Sequence, residues 1–299
     1  MKRYLSAVVF LLLAALVWRL WLAPRRHHMP AEQGAKPRVV VSGYVPYTLV
    51  KQLAADRADV SMLLPANAEP HSFEPTPGAL IKVREADLFV YVSDRIEPWA
   101  KDIASGAGEN TQVLQAAQYA AASDDPHVWM DFNNVKQIAK AVSAALAEKD
   151  PAHKDAYAAH LKAFDEEMTA LDEAYKKGLA DCQSREVVHV GHLAFKNLTK
   201  NYDLSLSALA GSSHDGEHSV RKLAELVKFI KNNHVRVIFT EETLSPRLSA
   251  AVAGETGAQV LPLYTVEHVS KRDFDQGVTY GELMRRNLES LQRGLGCQA

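Results

Sequence analysis

The chain has 299 residues, 47% of them hydrophobic and 23% charged, with a formal net charge of -2 at pH 7. That is the make-up of a globular protein long enough for two domains or one large one. A chain with this charge balance offers no basic face to neutralise phosphates, which argues against nucleic acid as a partner.

The N-terminus reads as a targeting segment. Lys2 and Arg3 precede an apolar run from Leu5 to Val17, which continues into Trp18-Arg19-Leu20-Trp21-Leu22. A basic start followed by such a stretch is a secretory signal. No small-x-small cleavage site follows, no cysteine stands there for lipid attachment, and Arg19 interrupts the apolar stretch. Residues 1–28 are therefore a cleaved signal peptide or an uncleaved membrane anchor. In both cases the rest of the chain is exported, to the periplasm or tethered at the membrane. Cys182 and Cys297 are the only cysteines. In an oxidising compartment an even pair suggests a disulfide, with two free thiols as the alternative.

After a polar linker, Arg38 to Tyr44 reads as a buried parallel strand because it is almost continuously apolar. A helix is expected over Tyr47 to Ala55, a strand over Val60 to Leu64, a helix over Pro77 to Ala86 and a strand over Asp87 to Val92. A short helix from Ile96 to Ile103 and a short strand at Gln112 to Leu114 follow. Asn133 or Asn134 is the expected cap of a helix running to about Ala147. From Pro151 to Ala180 the pattern is helical with almost no interruption, which at 1.5 Å per residue would run about 45 Å and could span two domains. The alternation then restarts. Strands are expected at Glu186 to Val190, Leu204 to Leu209, Val235 to Thr240 and Gln259 to Leu263, and helices at Val220 to Asn232, Leu248 to Thr256 and Tyr280 to Leu295. This pattern predicts an α/β fold of two lobes, each a four-stranded, mostly parallel sheet flanked by helices, joined by one long helix. The segments are 37–149, 150–181 and 185–299.

Twelve histidines are more than a chain of this length needs, and they do not form one tag-like run. Three lie where a parallel sheet presents its ligands, beyond the carboxyl ends of strands. His71 sits in Glu69-Pro70-His71-Ser72-Phe73-Glu74-Pro75-Thr76-Pro77, a proline-stiffened loop after the second strand. His127 sits in Asp125-Pro126-His127-Val128-Trp129-Met130-Asp131. His192 follows a strand in Gly191-His192-Leu193-Ala194-Phe195. Glu267 occupies the comparable place late in the second lobe. Three imidazoles and one carboxylate make a closed tetrahedral zinc shell. Neither cysteine has a neighbour at metal-ligand spacing, so a thiolate site is not expected. His189 lies within a strand and is expected to pack or hydrogen-bond there. His153 and His160 fall on one face of the long helix and read as a solvated or half-buried face. Glu69 and Glu74 are read as groups that fix the His71 loop.

With Phe239-Thr240-Glu241-Glu242-Thr243-Leu244-Ser245-Pro246 and the closing helix, these motifs make the chain similar to the zinc- and manganese-binding solute-binding proteins of bacterial ABC metal-uptake systems. The likeness covers essentially everything after residue 28. It implies two α/β lobes on a rigid helix, one metal ion in the cleft, and delivery to an ABC permease in the inner membrane by a monomer. It also implies that His71 and His127 come from the first lobe, and His192 with a last-loop carboxylate from the second. The third histidine matches the zinc-preferring members, with manganese or iron as the alternative cargo. The fourth ligand is Glu267, with His268, Glu241 or a water as rivals. His214 and His218 form either a metal-collecting loop or a solvated polar one. Outside this class stand a secreted zinc-dependent hydrolase and a surface adhesin. The hydrolase would need an open water position and a general base, and no His-Glu-x-x-His helix is present.

Overall fold

The computed structural model describes residues 35–66, 68–209, 220–241 and 246–298. The N-terminal targeting segment, the His214 and His218 loop and Glu242 lie outside the described residues. Residues from Lys36 onward form one compact unit.

Within it two sheets repeat one topology. The first is built from β1 (Arg38–Val41), β2 (Asp59–Met62), β3 (Leu88–Tyr91) and β4 (Gln112–Gln115), in the order β2-β1-β3-β4. The second uses β5 (Glu186–Val190), β6 (Ser205–Ala208), β7 (Val237–Thr240) and β8 (Gln259–Pro262), in the order β6-β5-β7-β8. All neighbouring strands are parallel. The carboxyl ends of each sheet therefore lie on one side, and the loops that leave them are neighbours.

Helices α1 (Tyr44–Ala54), α2 (Pro77–Glu85), α3 (Pro98–Ser105) and α4 (Phe132–Lys149) accompany the first sheet. Helix α5 (Lys154–Gly178) links the sheets. Helices α6 (Lys196–Asn201), α7 (Val220–Asn232), α8 (Pro246–Thr256), α9 (Lys271–Asp275) and α10 (Tyr280–Leu295) accompany the second. Side chains alternate across the strands, as a pleated backbone requires. Val40, Phe89 and Tyr91 point to one face of the first sheet and pack with Ala79, Val83, Trp99 and Ile103 of α2 and α3. Val188, Val190 and Ile238 do the same in the second sheet, against Leu226 and Ile230 of α7 and Val252 of α8. The opposite residues, Val39, Val41, Leu88 and Val90 in one sheet and Val187 and Phe239 in the other, join a single core with Tyr157, Phe164, Met168 and Tyr175 of α5. The two lobes are thus packed on a shared centre rather than strung on a linker.

The linking helix is shorter than its periodicity predicts. Pro151–His153 is a separate 3-10 turn, and α5 has 25 residues, about 37 Å of helix. Its early part holds the first lobe, with His160 Nδ1 against Leu53 O at 2.8 Å. Its late part holds the second, with Tyr175 Oη donating to Met284 O at 2.6 Å. His153 Nδ1 pairs with Asp150 at 2.7 Å. The first strand ends at Val41 and α1 begins at Tyr44, three residues earlier than expected. Pro46 fits in its first turn, where a missing N–H costs nothing. The cap of α4 is Asp131 rather than either asparagine: its carboxylate accepts from the N–H groups of Asn133 and Asn134. Cys182 and Cys297 are joined by a disulfide.

Candidate metal centre

Four side chains distant in sequence meet where the carboxyl ends of the two sheets face each other. One ligand atom from each of His71, His127, His192 and Glu267 lies within 4.8 Å of every other. His71 Nε2 and His127 Nε2 are each 3.2 Å from Glu267 Oε1, and His192 Nε2 is 3.0 Å from Glu267 Oε2. The His127 and His192 Nε2 atoms are 3.2 Å apart. Ligand atoms about 2.0–2.1 Å from a shared centre stand about 3.3 Å apart at the corners of a tetrahedron. The observed spacings match that figure, and the donors are the nitrogen and oxygen types such a shell uses.

Each group is fixed differently. His127 is fully buried, and Asp125 stands behind it. Asp125 Oδ1 accepts from the His127 N–H at 3.2 Å and lies 2.6 Å from Nδ1. An acceptor on Nδ1 places the ring proton there and turns the Nε2 lone pair toward the cluster. Glu241 does the same for His192: its Oε1 accepts from the backbone N–H at 2.9 Å and lies 2.8 Å from Nδ1. Glu241 therefore supports His192 from behind, and the four clustered groups include Glu267 rather than Glu241 or His268. Gly191 makes room for this contact. A Cβ on it would stand 2.2 Å from Glu241 Oε1 and 2.5 Å from His189 Cε1. His189 packs edge-on against Phe195 with ring centres 4.9 Å apart, and its Nδ1 is 3.0 Å from His192 O.

His71 is held through its backbone. Its N–H donates to Glu69 Oε1 at 3.1 Å, and Trp99 Nε1 donates to Pro70 O at 2.8 Å. Phe73 packs on Trp99 with centroids 5.0 Å apart. Glu69 thus fixes the loop, while Glu74 is exposed.

Glu267 follows a strained residue. Val266 is buried and has φ of 64°, a region that a branched side chain enters at a cost of about 1–3 kcal/mol. The adjacent Thr265 O accepts from Trp129 Nε1 at 2.8 Å, and Tyr280 Oη donates to Trp129 O at 2.7 Å. The Glu267 loop of one lobe and the His127 turn of the other are locked together by these bonds.

The electrostatics follow from this crowding. Burial pulls the pKa of His127 down, but the Glu267 carboxylate and the hydrogen bond that the ring donates to Asp125 leave it above the ordinary value. Burial opposes the charged form of His192 too, yet Glu267 and Glu241 hold its pKa well above the imidazole range. Burial raises Glu267, and the two imidazoles more than offset this, leaving it well below the carboxylate range. Nearby, burial pushes Glu97 up to about 7, where its carboxylate accepts from Val92 N–H at 2.7 Å.

All four expected residues converge. Asp125 was in plain view in its motif, yet sequence reasoning gave it no part. Its signal is the spacing, since an acid two residues before a histidine can reach that residue's own N–H.

Comparison with known proteins places the chain among metal carriers. Residues 39–294 match the ZnuA family, described as zinc-uptake complex component A, periplasmic. The chain is 31% identical over 284 residues to the high-affinity zinc uptake system protein ZnuA of Bacillus subtilis, covering 88% of this chain and 89% of that one. It is 29% identical over 279 residues to the zinc-binding lipoprotein AdcA of Streptococcus pneumoniae, covering 86% of this chain and 56% of AdcA. The solved Zn(II)-bound ZnuA-like domain of AdcA superposes with a TM-score of 0.78 at 29% identity, over 87% of this chain and 99% of that domain. The laminin-binding protein Lmb of Streptococcus agalactiae, described as a bifunctional adhesin and metal transporter, gives 0.79 at 33% identity, over 87% of this chain and 100% of Lmb.

Proposed function

The chain belongs to the ZnuA family of zinc-uptake components, and from that premise we infer that it captures Zn2+ outside the inner membrane and delivers it to an ABC permease. The ligands in this reading are His71, His127, His192 and Glu267. One observation carries it: three imidazoles and one carboxylate from both lobes converge, with one ligand atom of each within 4.8 Å of the others. Three nitrogens disfavour Mg2+ and Ca2+, which take oxygen shells. The same donor set favours zinc over manganese, which suits carboxylate and water ligands.

The reading is capture rather than catalysis. Four protein donors fill a tetrahedral shell and leave no position for a reacting water, which a zinc hydrolase would need. The protein works as a monomer in the periplasm, free or tethered by its N-terminal segment. Cargo enters an arrangement already held by Asp125 and Glu241, so little ordering is left to do on binding.

The test is zinc titration of the metal-stripped full chain against a chromophoric competitor, with metal analysis of the protein as purified. One zinc per chain is expected, together with its loss in a His71→Ala, His192→Ala double variant. Zinc bound as tightly by that variant as by the wild type would refute the ligand set.

A further inference from the structure

Helix α6 carries a residue that reaches across the cleft to the support of His127. Asn197 lies five residues after His192, in the second lobe, yet its contacts are in the first. Asn197 Nδ2 donates to His127 O at 2.9 Å. Its backbone N–H donates to Asp125 Oδ2 at 3.3 Å, while Asp125 Oδ1 holds the His127 ring. Its Oδ1 accepts from Ser123 Oγ at 3.0 Å. One residue thus grips the peptide of His127, the carboxylate that orients its imidazole, and the strand of chain leading into both. The neighbouring Lys196 forms an ion pair with Asp124, but both side chains are mostly exposed, where water and salt screen such pairs.

We propose that Asn197 is a positioning residue for His127 that acts from the opposite lobe. Part of what orients this first-lobe ligand, beyond its own Asp125, then comes from the second lobe seated on it. Separating the lobes withdraws the Asn197 bonds from His127 and Asp125 in one movement, so cleft opening weakens the metal's hold as well as exposing it. The inference rests on His127 being a zinc ligand.

The experiment follows zinc association and dissociation by stopped flow in Asn197→Ala, Asn197→Asp, Lys196→Ala and His127→Ala forms of the full chain. Thermal unfolding of each metal-stripped protein is recorded alongside. Asn197→Asp keeps the size and the Ser123 bond, loses the donor to His127 O, and sets a second carboxylate beside Asp125, so it serves if Asn197→Ala does not fold. Dissociation should accelerate about tenfold or more in both Asn197 variants, as loss of a group behind a ligand does. Association and the midpoint of the stripped protein should stay near wild type, and Lys196→Ala should match wild type throughout. Wild-type dissociation in the Asn197 variants, with zinc lost in His127→Ala, would overturn the proposal and leave the site intact. A lowered midpoint with unchanged zinc rates would overturn it equally, making Asn197 a fold contact. Zinc held normally by His127→Ala would refute the ligand assignment itself.

Discussion

The first lobe contains the same three-residue device twice, and the two copies are not equivalent. Glu69-Pro70-His71 and Asp125-Pro126-His127 each put an acid two residues before a histidine, across a proline. In both, the carboxylate accepts the histidine N–H, at 3.1 Å and 3.2 Å. Only the shorter acid also meets the ring, with Asp125 Oδ1 2.6 Å from His127 Nδ1. Among the described residues the His71 ring meets one carboxylate, that of Glu267. One methylene thus separates a histidine locked in ring and backbone from one locked in backbone alone. In the proposed reading, His127 and its counterpart His192 are preset donors, and His71 is the arm with freedom left to lose when cargo arrives.

The largest effect should come from the donors themselves. His127→Ala should lower zinc affinity by more than about 100-fold, beyond the 10–100-fold typical of losing a group behind a ligand. His71→Ala should cost less, since part of what that arm contributes goes to ordering it. Equal losses in competition titrations would break the comparison. Next come the supports. Asp125→Asn should weaken zinc about 10–100-fold, while Glu69→Gln, whose carboxylate accepts the His71 backbone N–H, should cost a few-fold at most.

Acidity ranks third. His127 and His192 hold protons above the ordinary imidazole range, and Glu267 stays ionised well below the carboxylate range. Zinc must displace those protons, so its affinity should climb with pH through the raised imidazole values, by about tenfold per unit for each proton released. Calorimetry in buffers of different ionisation heat should register the release. An affinity flat between about pH 5.5 and about pH 8 would contradict it. Without cargo the signs differ by group. The raised histidines stabilise the fold fully below the ordinary imidazole pKa and cease to do so as pH rises through their own values. The depressed Glu267 stabilises it above the ordinary carboxylate pKa and ceases to as pH falls through its lowered one. The smallest effect should be that of Trp99→Phe. It keeps the ring beside Phe73 but drops the bond to Pro70 O, about 1 kcal/mol of loop restraint, felt as a few-fold faster zinc dissociation.

Most of the fold was legible because buried parallel strands are short apolar runs such as Val39-Val40-Val41 and Leu88-Phe89-Val90-Tyr91, and the helices between them have clear spacing. Boundaries were less legible. Tyr44 looked like the end of a strand because it is apolar, but it starts α1, whose missing cap hides the join. Asp131 was passed over as a cap because two asparagines stood beside it. His71 and His127 were readable from the prolines beside them, and His192 from its strand-end position. Asp125 and Glu241 were not assigned their task, because which nitrogen of a ring faces the cluster is set by three-dimensional placement. Asn197 left no trace in the pattern at all, since its partners are about seventy residues away across the cleft.

The bond between Cys182 and Cys297 has a topological result. The two residues are 115 apart, and every strand of the second sheet, β5 to β8, lies between them. The second lobe is therefore a covalently closed ring on the end of α5. A single protease cut anywhere in that ring opens it without shedding a fragment, and both sides stay attached to the half that carries His71 and His127. Limited digestion should give two bands only after reduction, and a nicked but oxidised protein should still present all four clustered groups.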